Sequence, residues 1–481
     1  MNSLAQSKWF ASLAIGCFVL CGLGSLLMQA PYWMALPFVI VLSVPIIQCI
    51  VSKTEYLYWL LLITLPLSTE FNVTPTLGLD IPDEPLLMLL SVAVMASILY
   101  QPSAYKVVMA SPIFKWMITL LIWMCISLLY APNQWLALKY FLAKTWYILP
   151  LVLLTALIHQ RSGNFKKTAL YICIPMIIVV IQTLLRHAWY GFNFIAIKKT
   201  MAPFFRNHVN YSAMLVCLLP IGLLLHQFTL DAKKQRLIKA GIVIACLGLF
   251  FAYSRGAWLA LMIGIAGYWL IKKNQIGKAI FIGVTALVIG LTVLIYNNRF
   301  MQFAPEHDQT IFHENFSAHL QATIGLKDIS NAERFHRWVA GIRMVAEKPW
   351  TGFGANSFYN NYQPYTAAPF KTWVSDNPEH STVHNYFLLI ALEQGIPALL
   401  LFAGFFIYLL MQTQYLYHQF QNNYYRHIAL GLGVMLIMIA SLNFTSDLIE
   451  TDKIGGIFWL IIGLIVSLQL FLKQERNSIA G

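Results

Sequence analysis

The chain has 481 residues, 59% of them hydrophobic and only 11% charged, with a mean hydropathy of +0.66. That balance excludes a soluble globule, in which about a quarter of the residues are charged, and leaves a multi-pass membrane protein. The formal charge of +13 sits largely in short loops between apolar runs, where positive charge fixes membrane orientation, so it does not point to nucleic acid.

Apolar runs able to cross a bilayer, allowing for tilt and breaks, fall at residues 9–28, 32–51, 55–67, 85–100, 112–130, 136–158, 168–186, 209–228, 237–253, 256–271, 279–296, 384–411, 427–443 and 454–472. The third and tenth are short enough to be re-entrant, so the expectation is an all-α polytopic fold with about 12 to 14 transmembrane helices. The first run follows a weak basic start and lacks a small-residue cleavage site before Pro31, so it reads as a retained span. All seven cysteines lie inside apolar segments, which offers neither a disulfide framework nor a zinc spacing.

With the N-terminus inside, the inner loops carry Lys53, Lys106, Lys166, Lys167, Lys233, Lys234, Lys272, Lys273, Arg426 and Lys473. The short outer connectors MQAPY, STEFNVTPTLGLDIPDE and APNQW carry no Lys or Arg, both termini fall inside, and residues 297–383 fall outside. The same parity gathers Arg206, Arg255 and His384 onto the outer face. The expected organisation is N-terminal spans over 1–203, spans carrying two arginine motifs over 204–296, a large outer loop over 297–383 and C-terminal spans over 384–481.

The outer loop contains NAERFHRWVAGIRMVAEKPW. Phe335, Trp338, Val339, Ile342, Val345 and Ala346 recur at three- and four-residue spacing, which predicts an amphipathic helix lying on the membrane, with Arg334, Arg337, Arg343 and Glu347 on its other face. Pro349 ends it, and GFG at Gly352–Gly354 lacks the strand-to-helix setting of a dinucleotide fingerprint and reads as a turn.

Arg255, in YSRGAW between two spans, reads as an interfacial anchor or as a guanidinium aimed at a phosphate, with Gly256 leaving room for a ligand or a neighbouring helix. Arg206 in PFFRNHVNY precedes a span, with Asn207, His208 and Asn210 as further donors, and reads as a surface anchor or as part of a site for a lipid-linked diphosphate. His384 reads as a helix-start histidine or as a general base toward a sugar hydroxyl. His380 and His384 follow Glu379 without an HExxH or a third ligand, so no metal site is expected. Lys139 and Lys144 on one span read as snorkelling cations, or as contacts to lipid phosphate. Asp447, Glu450 and Asp452 read as solvated loop carboxylates, with orientation of His384 or balance of the cations as the alternative.

The order SRGAW between spans, R-x-x-x-W from Arg334 to Trp338, KPWTGFGANSF and HNYFLLIALEQGIPALL resembles the O-antigen ligase and Wzy-type polymerase superfamily from about Phe204 to Phe406. The resemblance implies a C-type glycosyltransferase of the bacterial inner membrane, working in lipopolysaccharide biosynthesis. It would move a glycan from undecaprenyl diphosphate to lipid A core on the periplasmic side, inverting and independent of metal, nucleotide sugar or other cofactor. By motif it assigns the donor diphosphate to Arg206 and Arg255 and acceptor activation to His384. Lys139, Lys144, Asn207, Arg334, Trp338 and Asn385 are candidate supporting residues beside them. A Wzy-type polymerase or a protein O-oligosaccharyltransferase would use the same donor with a glycan or protein acceptor. A transporter of lipid-linked sugar is the alternative from another class, and partners in every case are membrane lipids rather than nucleic acid.

Overall fold

A computed structural model describes residues 16, 52–74, 77–303, 329–372, 375 and 381–480. The first two expected spans, together with Glu379 and His380, lie outside the described residues. Helix α1 covers 52–64. The helices that follow are α2 (Asp83–Tyr100), α3 (Pro102–Met109), α4 (Pro112–Leu128), α5 (Gln134–Ser162), α6 (Phe165–Trp189), α7 (His208–Gln227), α8 (Ala232–Phe251), α9 (Arg255–Lys272) and α10 (Ile276–Ile295). The last four are α11 (Ile329–Glu347), α12 (Tyr386–Gln419), α13 (Asn423–Asn443) and α14 (Asp452–Ala480). Short polar residues start many of them: Ser111, Asn133, Asn164, Asn207, Asp231, Asn385 and Asn422 each accept a first-turn backbone N–H. Each such cap contributes about 1 kcal/mol and fixes where the apolar run begins.

Among the described residues eight helices are long and apolar enough to cross a membrane, and α3 with α4, bent by 92°, would make a ninth. Every expected run from 55 onward coincides with a helix, and three of these helices stand outside that count for physical reasons. α1 is short, α8 opens with the charged AKKQR, and α9 is bounded by Arg255 and Lys272. Among the described residues the helical expectation has one exception. The acidic outer connector folds into an antiparallel hairpin of β1 (Thr69–Thr74) and β2 (Leu77–Ile81), with Glu70 opposite Asp80.

α14 is the central post. Its most apolar stretch is 89% buried, whereas that of α10 is 6% buried and faces outward. The post is reached closely where a side chain is missing: a Cβ on Gly463 would stand 2.5 Å from the Leu151 carbonyl in the π-helical turn Leu149–Leu154 of α5.

Chain direction sorts the two ends of the bundle. α7 runs away from Arg206, α8 returns, and a tight turn at Ala252–Ser254 starts α9 at Arg255 on the same end. α10 returns to that end, α11 follows there, and α12 leaves it just after His384. α13 comes back, and a connector over 444–451 leads into α14. Lys166, the Phe228–Asp231 turn and Lys272–Gln275 lie at the other end.

α11 forms where expected but does not lie flat on an apolar stripe. Its inward face is Ala332, Glu333, His336, Arg337, Ala340 and Met344, all buried, while Ile342 is 47% exposed and Ala346 is exposed. Phe335, Trp338 and Val345 are only partly buried. Buried Arg337 and Glu333 pair at 3.3 Å, and Glu333 also accepts from the hydroxyls of Thr372 and Ser375. Burial becomes possible because each charge finds its partner four residues along the same helix. On the outward side, Arg343 donates to the carbonyls of Tyr365 and Thr366 and so fastens the following segment to the helix.

Candidate functional site

His384 precedes α12 with φ +51°, a left-handed backbone that side chains other than glycine adopt only under constraint. The constraint is visible on three sides. Thr382 accepts the His384 N–H at 3.3 Å through its hydroxyl and donates that hydroxyl to Asp447 at 2.6 Å. Arg337 donates to the Thr382 carbonyl at 3.4 Å, and Ser446 accepts the Tyr386 N–H at 3.1 Å. Gly341 of α11 lets Val383 and Leu388 come close, since a Cβ there would stand 3.1 Å from each. Asn385, expected as a supporting residue, caps α12 by accepting from Leu388 N at 3.0 Å.

His384 Nδ1 lies 3.6 Å from Asp447 Oδ1, an ion-pair separation rather than a formed hydrogen bond. Burial alone would raise the Asp447 carboxyl, but the neighbouring His384 ring and the Thr382 hydroxyl hold it below its ordinary range. Asp447 is therefore a partner of His384 and not a solvated loop carboxylate, which corrects the sequence expectation. His384 thus turns Nδ1 toward a carboxylate, a geometry that can orient an imidazole.

The connector that carries Asp447 also walls a polar cavity of about 570 Å³. Arg206, Lys144, Lys198 and Lys453 line it together with Glu70, Asp80, Glu84, Glu450 and Asp452. Lys144 is buried and bonded to Glu450 at 2.8 Å, and Tyr140 donates to the same carboxylate at 2.9 Å. Lys144 thus does not snorkel, and Glu450 is not merely solvated. Lys139 is exposed, outside the cavity wall, and close enough to Glu84 to feel its charge. Arg206 makes a two-point bond to Glu70 on β1, with Nε to Oε2 at 2.6 Å and NH2 to Oε1. That bond holds the guanidinium still more firmly protonated. Asn207 caps α7, accepting from Asn210 N at 2.9 Å.

Arg255 is the first residue of α9 and does not line this cavity. Its helix packs antiparallel on α13: Gly264 faces Met438, and Gly433 faces Ile271. Arg255 therefore begins α9 at the end of the bundle where α13 finishes. A Cβ on the neighbouring Gly256 would meet nothing within 4 Å, so no described residue occupies the room beside it. Arg334 donates to the Thr445 carbonyl at 3.1 Å and so ties α11 to the same connector. Trp338 packs edge-on against Phe335, and its buried indole nitrogen has no hydrogen-bond acceptor among the described residues.

Arg206, Arg255 and His384 thus all stand at the start of a helix, on one end of the bundle, where the helix dipole is positive and anions are favoured. The connector joins His384, through Asp447, to the cavity that holds Arg206, through Glu450. Sequence reasoning missed Glu70, Asp80, Glu84 and Lys453; the acidic character of the hairpin was the available signal. Among the described residues no group of three or more His, Cys, Asp or Glu is arranged to hold a metal ion.

A second motif supports the site from the side. α12 breaks at Gly395, with φ +84° and ψ +167°, and the turn after α11 fills the break. Ile396 N donates to the Pro349 carbonyl at 2.7 Å, and Gly354 N to the Glu393 carbonyl at 2.8 Å. The buried Glu393 carboxylate accepts from Asn356 N at 2.8 Å and Ser357 N at 3.0 Å.

Residues 240–403 match the family model Wzy_C, described as O-antigen ligase. The matched stretch runs from within α8 into α12 and carries Arg255, α11, the GFG turn and His384, while Arg206 lies before it. The resemblance to the O-antigen ligase and Wzy-type superfamily holds over that stretch. Comparison with curated proteins finds no match.

Proposed function

We propose that this membrane protein is an O-antigen ligase-type glycosyltransferase. It takes a glycan from undecaprenyl diphosphate on the periplasmic side of the bacterial inner membrane and passes it to lipid A core. The observation that carries the reading is the connector over 444–451, which links an oriented histidine to a cavity where Arg206, Lys198 and Lys453 stand among carboxylates, at one end of the bundle. Residues 1–203 and 384–481 form the scaffold spans, 204–296 supply the arginines, and 297–383 roof the site from outside, with both termini cytoplasmic.

In the reaction, His384 Nε2 withdraws the proton of the acceptor hydroxyl as that oxygen bonds to the anomeric carbon. The bond from that carbon to the diphosphate oxygen breaks on the opposite side, so configuration inverts and the electron pair leaves on the diphosphate. Arg206 and Arg255 neutralise that growing charge, and the polyprenyl tail stays among the spans. Asp447 stabilises the imidazolium that forms. Arg206 must exchange Glu70 for phosphate. An exposed ion pair contributes only about 0.2–1 kcal/mol, so a diphosphate with several charges displaces it. Lys198 and Lys453 supply further charge inside the cavity.

The test uses purified protein in detergent with EDTA, an undecaprenyl-diphosphate glycan and a lipid A core acceptor. The reading expects transfer to lipid A core by wild type. Lengthening of the donor glycan without transfer would make the protein a polymerase. Failure of both, with intact donor, would put lipid-linked sugar transport in its place.

A further inference from the structure

Between α6, α7 and α8 lies an apolar cavity of about 450 Å³, lined by residues such as Ile174, Ile177, Leu218 and Ile242. An apolar space of this size between membrane helices does not hold ordered water, and close packing disfavours leaving it empty. Two side chains at its rim carry charge, Lys166 and Lys234, both exposed. Each sits in the first turn of its helix, α6 and α8, where the dipole disfavours a cation. Their placement therefore does nothing for the helices and suits an anion held from outside. Asp231 faces Lys234, but its carboxylate is turned to the N–H groups of Lys233 and Lys234 as the α8 cap. The neighbouring Lys167 is engaged elsewhere, 4.1 Å over the Trp59 ring.

We propose that this cavity is a binding site for an anionic glycerophospholipid, one acyl chain lying between α6 and α8 and the headgroup phosphate held by Lys166 and Lys234. The site is separate from the catalytic end. The lysines lie where α6 and α8 begin and α7 finishes, whereas Arg206 precedes the start of α7, about 30 Å away by helix rise. A lipid diphosphate held by Arg206 could not also reach these lysines, so the occupant belongs to the opposite leaflet. Basic rims between spans on one membrane face are a recognised setting for anionic headgroups.

The full-length protein, purified in detergent, is incubated with phosphatidylglycerol or phosphatidylcholine, and bound lipid is counted by native mass spectrometry. Wild type is expected to retain phosphatidylglycerol and to bind it at least about tenfold tighter than phosphatidylcholine. Lys166→Gln with Lys234→Gln should abolish that preference, while Lys273→Gln with Lys278→Gln, an equal loss of charge at the same end, should keep it. Ile174→Trp, which leaves both lysines and fills the cavity, should lose the lipid as well. Equal binding of the two lipids, or retention of phosphatidylglycerol by the Lys166 and Lys234 variant or by Ile174→Trp, overturns the proposal. So does preferential capture of undecaprenyl phosphate over phosphatidylglycerol.

Discussion

His384 is held by its neighbours before any substrate arrives: Thr382 bonds its backbone, Asp447 faces its ring, and Arg337 holds the Thr382 carbonyl. Asp447→Asn should therefore leave the protein folded while lowering transfer. His384→Ala should lower it further, by about 10² to 10⁴, the range that a positioned base contributes. Glu70→Gln should free Arg206 and tighten donor binding up to about fivefold, the value of one exposed ion pair, read as a lower donor KM. Asp80 gives a pH signature of its own. Burial, with Asp452, Glu84 and Glu70 nearby and only Lys453 opposing, pushes its carboxyl up to about 7. A carboxyl raised in the folded state contributes stability present at low pH and lost as pH rises from its ordinary 3.8 through 7. Thermal unfolding of Asp80→Asn should thus fall less between pH 5 and pH 8 than that of wild type. The three candidate positions stand out in sequence because each is a polar residue at the mouth of an apolar run. Glu70 does not, because it lies 136 residues before Arg206, and Asp447, 63 residues after His384, was legible only as the alternative to a solvated loop carboxylate.

At the scale of elements, two pieces of the outer loop behave as parts of α12. The GFG turn reads correctly from sequence as a turn, but its role follows from a partner 41 residues beyond Gly354, the helix break at Gly395. A Cβ on Gly395 would stand 2.3 Å from the Trp350 carbonyl oxygen, and one on Gly352 would stand 2.4 Å from the Glu393 carbonyl carbon. Gly395→Ala and Gly352→Ala should each cost about 3 kcal/mol or more, through strain at a positive φ and overlap with backbone. Gly256→Ala, in open space, should be neutral in the same thermal unfolding measurement. α11 was misread in its face rather than its extent. A period-based reading sends charged residues outward, yet Arg337 and Glu333 satisfy each other inside. Arg337→Ala would leave Glu333 buried without its cation, so a loss of about 3–5 kcal/mol is expected, and the shift of Thr382 should lower transfer as well.

Across the whole molecule, polarity is distributed by end. One end carries the acidic hairpin, the mixed-charge cavity, α11 and the helix starts at Arg206, Arg255 and His384; the other carries the basic turns and the lysine-rimmed apolar cavity. Hydropathy made the helical class and most of the helix positions readable. Charged termini keep α8 and α9 outside the eight described helices long and apolar enough to cross a membrane, although each runs from one end of the bundle to the other. Topology makes an independent prediction: a cysteine at Gln363 should react with a membrane-impermeant maleimide from the periplasmic side, and one at Lys273 should not. The central claim separates donor binding from chemistry, and one measurement reaches both. Affinity for an undecaprenyl-diphosphate glycan and its single-turnover transfer are followed in wild type, His384→Ala, Arg206→Ala and Arg255→Ala. The account predicts that His384→Ala binds donor within about twofold of wild type while transfer falls by about 10² or more. It predicts that each arginine variant loses donor affinity. Loss of donor binding in His384→Ala, or transfer by it at the wild-type rate, would contradict the account.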